Sequence, residues 1–395
     1  MKTKRLSEEK GIVLVLGMLL LLILTLIGIS ALNTSTYDVR ISGNERSSIQ
    51  AFYVAEAGIN EFMGRFQDGA TDQISDSDPS NPNWKVLLAK YPGKSAVQIG
   101  YVSGDPNSIS SLQSQLDYGA EIKHKTDAAN QVVQYGEAPI YILKSFGFAA
   151  DGGNKTLEAE LLKSPNYDPP SALYSEMPIH LHGSSIYING NDGCGKTNKP
   201  GVITTATTTP PIIESSNPAI NGAPPKVTLT SNPAPIKLPI KVMLDYLKGD
   251  ANFKYHYHVN QTLDGYSESW GTPTSSSSTV PILYTGKMNI VYFDMNGDKT
   301  LMLTGDSHGA GILLIEGNLE INGALRWYGV ILVTGNVECK GNVQMNITGG
   351  IIVGKNAILE SNSGGSAGII YCSDVSDKLK EIIPPLKMIR WREVY

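Results

Sequence analysis

The chain has 395 residues, of which 41% are hydrophobic, so it can bury more than one core outside any membrane-spanning segment. Its 32 basic and 37 acidic residues give a formal net charge of −5, which argues against a nucleic-acid-binding protein. The 40 glycines and 22 prolines indicate many turns, which excludes a mainly helical protein.

The first predicted element is a long apolar helix behind a short basic head. The head carries Lys2, Lys4, Arg5 and Lys10, and residues 12–32 contain no charge. A helix over 12–32 would be about 31 Å long, which is enough to cross a bilayer. The basic head predicts that the N-terminus stays in the cytoplasm and that the rest of the chain is exported.

Three kinds of segment begin in this way. A cleaved secretory signal has a shorter apolar region and an A-x-A-like site, which Ser30-Ala31-Leu32 matches poorly. An uncleaved signal anchor fits the run. A prepilin also fits, because Gly11 lies just before the apolar run, where a peptidase would remove residues 1–11 on the cytoplasmic side.

A motif in two parts follows the span. The first part is Ser42-Gly43-Asn44-Glu45-Arg46, and the second is Ala51-Phe52-Tyr53-Val54-Ala55-Glu56-Ala57-Gly58. This order resembles the N-terminal domain of PilX-type minor pilins of type IV pili, in which an AGN-R element precedes AF-AAEAG. The motif residues are Gly43, Asn44, Arg46, Ala51, Phe52, Ala55, Glu56, Ala57 and Gly58, and the resemblance covers about residues 8–66.

The resemblance implies an α+β fold in which a pilin helix over 12–66 packs on a small antiparallel sheet. It also implies that prepilin peptidase cuts between Gly11 and Ile12 and that Ile12 is then N-methylated. The chain would sit in the inner membrane with its C-terminal part in the periplasm. It would then join other major and minor pilins in a surface pilus, as a structural subunit without a cofactor or an enzymatic activity.

One position departs from the family pattern. Counted from Ile12, the fifth residue is Leu16, where most pilins carry a glutamate that pairs with a neighbour's terminal ammonium. The resemblance implies that subunits without this glutamate stand at the filament tip, where they help initiate assembly, next to a tip adhesin or in its place. The rival hypothesis is an anchored protein that never enters a filament.

Apolar side chains recur at helical spacing beyond the span. The stripe consists of Ile49, Phe52, Ala55 or Glu56, Ile59, Phe62 and Phe66. This spacing predicts a helix face that packs on the globular part of the chain.

Residues 67–170 read as a small sheet domain. Residues 140–149 and the alternation of Leu157, Ala159 and Leu161 predict two strands. Between them, Asp151-Gly152-Gly153-Asn154 predicts a hairpin turn.

Residues 171–395 contain a glycine repeat. Gly311, Gly317 and Gly323 recur 18 residues later as Gly329, Gly335 and Gly341, and copies near Gly350, Gly368 and Gly183 are less regular. Short β-branched runs between such glycines predict a β-solenoid, with a β-meander or sandwich as the alternative. A Pro/Ser/Thr-rich insertion is predicted at 199–280, in which residues 199–239 are expected to run extended over the surface and residues 240–248 to form a short helix. The end of the chain is expected to cap or strap the last coil by burying Trp391.

The exported part carries three cysteines, Cys194, Cys339 and Cys372. An oxidising compartment predicts one disulfide, and we expect Cys339 to pair with Cys372. Three buried, unpaired cysteines remain the alternative.

The sequence predicts no metal site. His180 and His182, like His256 and His258, lack further ligands at a suitable spacing. Asp294, Asn296 and Asp298 resemble the start of a calcium loop, but the twelfth position of that loop would be Gly305 rather than an acid.

Two classes of function remain. The first is a minor pilin that presents a β domain for adhesion or partner binding, with a type II secretion minor pseudopilin as its near variant. The second is a membrane-anchored β-helix protein that binds or cleaves carbohydrate. The sparse outward charges of residues 311–372 argue against polysaccharide cleavage.

Overall fold

The structure, a computed structural model, describes residues 6–66, 74–76, 78–99, 116–135, 138–208, 210–228, 238–265, 270–274, 277–361 and 364–394. The chain divides into two compact units. The first consists of Met1–Val133, Ile140–Leu161 and Met388–Tyr395, and the second of Gln134–Pro139 and Leu162–Lys387.

The helices are α1 Leu6–Arg65, α2 Ile240–Leu247 and α3 Ser373–Leu379. In the first half of the chain the strands are β1 Lys85–Lys90, β2 Val97–Ile99, β3 Tyr118–His124, β4 Gln134–Tyr135, β5 Ala138–Phe148, β6 Asn154–Lys163, β7 Leu173–Ser175, β8 Ile179–His182, β9 Ile186–Asn189, β10 Val202–Thr204, β11 Ile212–Ser215, β12 Ala219–Asn221 and β13 Lys226–Thr228. In the second half they are β14 Phe253–His256, β15 Gln261–Asp264, β16 Asn289–Asp294, β17 Thr300–Thr304, β18 Asp306–Glu316, β19 Asn318–Ile321, β20 Ala324–Val333, β21 Val337–Cys339, β22 Gln344–Val353, β23 Ala357–Glu360, β24 Ser366–Ile370 and β25 Leu386–Val394.

The helix α1 is continuous over 60 residues because its sequence contains no proline and is rich in leucine. Its buried face consists of Ser47, Ala51, Ala55, Ile59, Phe62 and Phe66, at steps of three or four residues. The prediction of a buried stripe is therefore confirmed at its distal end. It is wrong at Ile49, which is exposed, and at Phe52, which is half-buried, because both lie beside the Ser47–Ala51–Ala55 line.

The sheet of the first unit has the strand order β2-β1-β3-β5-β6-β25, with β4 also paired to β5. The strands β1, β2, β3 and β5 pair antiparallel. The predicted hairpin turn is present between β5 and β6, where the amide of Ala149 donates to the carbonyl oxygen of Gly153 (2.8 Å) and Gly152 has a φ of +93°.

The last strand, β25, corrects two predictions. It is the edge strand beside β6, so residues 388–395 belong to the first unit rather than to the domain predicted over 171–395. Arg390 bonds Glu160 (2.6 Å) and Arg392 bonds Glu158 (2.7 Å), which holds β25 against β6. Trp391 is therefore exposed and does not cap a coil.

The second unit contains two large sheets of parallel strands. One has the main order β12-β9-β24-β22-β20-β18-β16-β14, and the other has the order β11-β8-β23-β21-β19-β17-β15. From β14 to β24 the chain alternates between the two sheets, so each repeat supplies one strand to each. Leu313 and Ile331 from the first sheet share one apolar core with Leu319 and Val337 from the second.

Glycines align across the long strands of this unit. Gly311 pairs with Gly329, and Gly329 pairs with Gly349 rather than with Gly350. Gly329 has a φ of +146°, and a Cβ on it would lie 1.8 Å from the carbonyl oxygen of Gly311. The 18-residue recurrence of these glycines therefore reflects a close approach between neighbouring backbones that only glycine permits.

The stacking order differs from the chain order at one turn. Two strands pair with β22 and share the next position in the stack. The first half of β22 pairs with β24, where Ile347 lies opposite Ile369, and its second half pairs with β7, where Ile351 lies opposite Leu173. Then β9 stacks on β24, and β10 stacks on β7. We call this shared position the composite turn, because two segments far apart in the chain complete it.

The described part of the predicted insertion over 199–280 is extended and mostly exposed at residues 210–228, as expected, but the surface prediction is wrong for Val202–Thr204, which are buried. That part contains β10 to β13 at one end of the parallel sheets and β14 and β15 at the other. The short helix expected near 240–248 is present as α2, with Met243, Leu244 and Leu247 fully buried. Hydrogen bonding to neighbouring parallel strands extends segments whose composition alone predicts a loop.

Candidate functional site

The most exposed apolar surface of the described chain is the N-terminal part of α1. Every residue from 12 to 46 is exposed, and no Asp, Glu, Lys or Arg occurs between Ile12 and Tyr37. This helix is long and apolar enough to cross a membrane. A surface of this size and composition is stable only in lipid or against other apolar helices.

The predicted processing site lies inside this helix. Gly11 and Ile12 are consecutive residues of α1, and residues 1–5 of the predicted leader lie outside the described residues. Leu16 is exposed within the uncharged run, so α1 offers no carboxylate near Ile12 on its C-terminal side.

The motif residues divide between two faces of α1. Ala51, Ala55 and Gly58 are buried toward the sheet. Their small size allows β5 to approach closely, because a Cβ on Gly147 would lie 2.0 Å from the carbonyl oxygen of Ala51. The other motif residues are exposed, except for the half-buried Phe52: Gly43, Asn44, Arg46, Glu56 and Ala57.

A hydrogen bond fastens the start of the buried face. The hydroxyl of Ser47 donates to Asp151 in the β5–β6 turn (2.5 Å). This bond lowers the pKa of Asp151 below its ordinary value. The turn predicted from Asp151-Gly152-Gly153-Asn154 therefore also anchors the sheet to α1.

A fully buried polar cluster lies in the first unit and was not predicted. Nε2 of His124 lies 2.9 Å from Asp76, Nδ1 lies 2.6 Å from the carbonyl oxygen of Asn81, and the Tyr141 hydroxyl donates to Asp76 (2.7 Å). Both ring nitrogens of His124 therefore lie within hydrogen-bond distance of oxygen acceptors.

Burial alone would raise the pKa of Asp76, but the hydrogen bonds from His124 and Tyr141 and the charge of His124 lower it below its ordinary value. Trp84 covers the imidazole, with ring centroids 4.9 Å apart. The cluster ties the segment that follows α1 to strands β3 and β5, which is a structural role.

The disulfide joins Cys194 to Cys372, and the predicted pairing of Cys339 with Cys372 is wrong. Cys339 lies in the apolar core between the sheets, where burial raises the pKa of its thiol to about 12. Its side chain points inward from β21, whereas Cys372 follows β24 at the composite turn.

Asp192 reinforces the disulfide from the same loop. Its carboxylate accepts hydrogen bonds from the backbone amides of Cys194 (2.9 Å) and Ser373 (3.0 Å), the residue that follows Cys372. Burial opposes ionisation, but these hydrogen bonds hold the pKa of Asp192 well below its ordinary value. Asp192 and the two cysteines form the one cluster of potential metal ligands within the described residues, and its sulfurs are already joined to each other.

The weak calcium candidate lies beside an open groove of about 600 Å³ in the second unit. Asp294 faces His256 (3.3 Å), while Asp298 pairs with Lys299 (3.0 Å), so each carboxylate already has a side-chain partner. In the groove, Lys248 contacts Glu316 (3.7 Å), and the ammonium of Lys254 donates to the carbonyl oxygen of Gly249. His180 and His182 lie elsewhere on β8.

Residues 10–60 match the family model "PilX N-terminal", so the PilX resemblance predicted from the sequence is confirmed for this segment. No curated protein matches the chain. Among solved structures, the chain is similar to the competence-associated pilin ComZ from Thermus thermophilus, with 13% identity, 88% of this chain and 97% of that chain covered, and a TM-score of 0.24. The family match supports a type IV pilus-related minor pilin.

Proposed function

We propose that the chain is a minor pilin of a type IV pilus, a structural subunit that stands at or near the filament tip and assists the initiation of assembly. The observation that carries the proposal is the exposed uncharged helix over residues 12–37, which continues into the PilX-matched segment. Before assembly residues 12–32 cross the inner membrane, and the chain that follows them lies in the periplasm. Afterwards it packs among the helices of other pilins.

The absence of an acidic residue between Ile12 and Tyr37 supports the tip position. A carboxylate in an apolar bundle is stabilised only by a nearby cation, such as the terminal ammonium of a neighbour. A subunit without this carboxylate lacks one of the two groups of that pair. Such a subunit fits the filament tip, where no further subunit above it needs this contact.

We interpret the second unit as a β-solenoid that is presented for adhesion or partner binding. Hydrogen bonds between successive repeats support this interpretation. The backbone amide of Asn336 donates to the side-chain oxygen of Asn318, 18 residues earlier, and the backbone amide of Asn356 donates to the side-chain oxygen of Asn336, 20 residues earlier. Repeats of about 20 residues that pair with their neighbours are typical of solenoids.

The proposal is tested in cells with a Gly11→Leu variant, because the bulky side chain should block cleavage before Ile12. The variant should keep its leader, run more slowly on a gel than the wild type and be absent from sheared filaments. Gly17→Leu is the matched control, since Gly17 lies in open space on the same helix. Equal amounts of the wild type and the Gly11 variant in filaments would contradict the proposal.

A further inference from the structure

The sheet of the first unit ends in a long edge strand. β25 has nine residues and is the last strand in the order of that sheet, so no described strand pairs with its outer side. The other described strands that end a sheet have two to four residues each; they are β2, β4, β11, β12, β13, β14 and β15. Proteins keep edge strands short because a free edge pairs readily with another chain. β25 departs from this rule.

Both faces of β25 are open at its middle. The four consecutive residues 389–392 are exposed, whereas along the inner strand β5 buried and half-buried residues alternate. Arg390 and Arg392 lie on the face that carries the carboxylates of β6, so Ile389 and Trp391 lie on the opposite face. A strand added at the outer side of β25 would therefore meet a basic face and an apolar face.

The basic face carries more positive than negative charge. Two carboxylates of β6 share four cations, at N–O distances between 2.6 and 3.2 Å, in the pairs Glu158–Lys144, Glu158–Arg392, Glu160–Lys125 and Glu160–Arg390. The cluster therefore has two more positive than negative charges, although the whole chain has a net charge of −5. The side chains of Arg390 and Arg392 are 67% and 69% exposed, which leaves both guanidinium groups accessible to a further carboxylate.

We propose that the outer side of β25 binds an extended segment of another polypeptide in which acidic residues alternate with apolar residues. The backbone of that segment pairs with the outward N–H and C=O groups of β25, which is the mode of binding called strand addition. Its acidic side chains face Arg390 and Arg392, and its apolar side chains face Ile389 and Trp391. The inference goes beyond the proposed function and does not depend on entry into a filament.

Charge distinguishes this occupant from a second copy of the chain. Two β25 strands paired over residues 389–392 with matching faces would bring Arg390 and Arg392 of one copy beside those of the other. Like charges opposite each other destabilise a strand pair. A shift of the register by one residue would place the arginines of one copy against Ile389 and Trp391 of the other. An acidic and apolar partner meets neither obstacle.

The test measures the binding of a fluorescent peptide to the full chain in detergent micelles by fluorescence anisotropy. The peptide is as long as β25, and valine alternates with glutamate along it. Three control peptides have lysine in place of glutamate, the same composition in two blocks, or a backbone that is N-methylated throughout. The alternating acidic peptide should bind at least about tenfold more tightly than each control, because only it offers backbone donors, matching faces and opposite charge. No binding, or equal binding of any control, would overturn the proposal.

A cysteine variant locates the bound peptide. Ile389→Cys adds an exposed thiol, whereas the natural cysteines are joined or buried. A peptide with cysteine at one valine position should form a disulfide with this variant, and the yield should be at least about tenfold higher than with Leu283→Cys, a control at another exposed apolar residue. Equal yields would overturn the proposal. A disulfide between two copies in place of the peptide adduct would assign the edge to a second copy and would also overturn it.

A charge variant tests the basic face. Arg390→Gln combined with Arg392→Gln should weaken binding of the acidic peptide at least about tenfold, because both charge-assisted contacts are lost. The melting temperature should stay near that of the wild type, since Lys125 and Lys144 still pair with the carboxylates of β6. The double replacement of both arginines by lysine is the control and should keep the affinity. An unchanged affinity of the glutamine variant would overturn the acidic partner.

Discussion

Cys194 and Cys372 are joined by a disulfide although 178 residues separate them in the sequence. Cys372 follows β24, and Cys194 lies in the loop between β9 and β10, so the bond fastens the composite turn. Near the bridge, the amide of Gly193 donates to the carbonyl oxygen of Tyr371 (2.9 Å). The disulfide therefore holds together two segments that chain connectivity leaves far apart.

Replacing both cysteines, Cys194→Ala with Cys372→Ala, should lower the free energy of unfolding of the second unit by about 2–5 kcal/mol. The reason is that the closed loop restricts the unfolded chain. Denaturant unfolding under oxidising conditions measures the change. A reductant should destabilise the wild type by a similar amount and leave the double variant unaffected; equal stability of oxidised and reduced wild type would contradict the assignment.

Gly147→Ala should destabilise the first unit by about 3 kcal/mol, at the upper end of the cost of overpacking. The added Cβ would lie 2.0 Å from the carbonyl oxygen of Ala51, and backbone atoms cannot move aside as side chains do. Thermal unfolding measures the effect. Gly64→Ala is the control, because Gly64 lies in open space on α1 and alanine there should stabilise the helix by about 1 kcal/mol. Equal stability of the two variants would show that β5 does not pack on α1 at this point.

Asp76→Asn should lower the free energy of unfolding by about 1.5–3 kcal/mol near neutral pH, because it removes the ionised acceptor of two buried hydrogen bonds, those with His124 and Tyr141. In the folded wild type the pKa of Asp76 is lowered, so this contribution is present above the unfolded pKa, near pH 4, and is lost as the pH falls through the folded pKa. Melting temperatures measured from neutral pH down to about pH 2 test both statements.

In that experiment, the stability of the wild type should fall more steeply in acid than that of the Asp76 variant. Asp298→Asn is the control, since Asp298 is exposed and pairs only with Lys299. Parallel pH profiles for the wild type and the Asp76 variant would rule out an ionised, stabilising Asp76.

Asn336→Ala should destabilise the second unit by about 1–3 kcal/mol. The side-chain oxygen of Asn336 accepts the backbone amide of Asn356 (3.2 Å), while Asn318 accepts that of Asn336 (2.8 Å), so the three residues form a ladder between repeats. Denaturant unfolding measures the change. The control is Asn322→Ala, at an exposed position, which should change stability by less than about 0.5 kcal/mol. Equal effects of the two variants would contradict a stabilising ladder.

Local patterns in the sequence predict the repeating part of the fold well. The 18-residue recurrence of Gly311 and Gly317 anticipates the pairing of Gly311 with Gly329, because a glycine required at one backbone approach recurs at the next. The PilX-like motif likewise identifies Ala51, Ala55 and Gly58, whose small size is a local requirement.

The rest depends on contacts that are distant in sequence. No periodicity shows that β7 completes the turn begun by β24, since Leu173 and Ile369 meet only through β22. The disulfide prediction fails for the same reason, because it assumed that repeats near in the chain hold both cysteines. The His124–Asp76 pair was missed because its two members lie on separate elements and belong to no motif. Only the asparagines at the starts of the short strands β19, β21 and β23, which are Asn318, Asn336 and Asn356, gave a signal that could have been found.

The central claim is that the apolar helix is trimmed before Ile12 and enters a filament. The most direct measurement is the N-terminal mass of the protein recovered from sheared filaments. The account predicts a chain that begins at Ile12 with a methylated amino group. A chain that retains residues 1–11 and is found only in the inner membrane would contradict it.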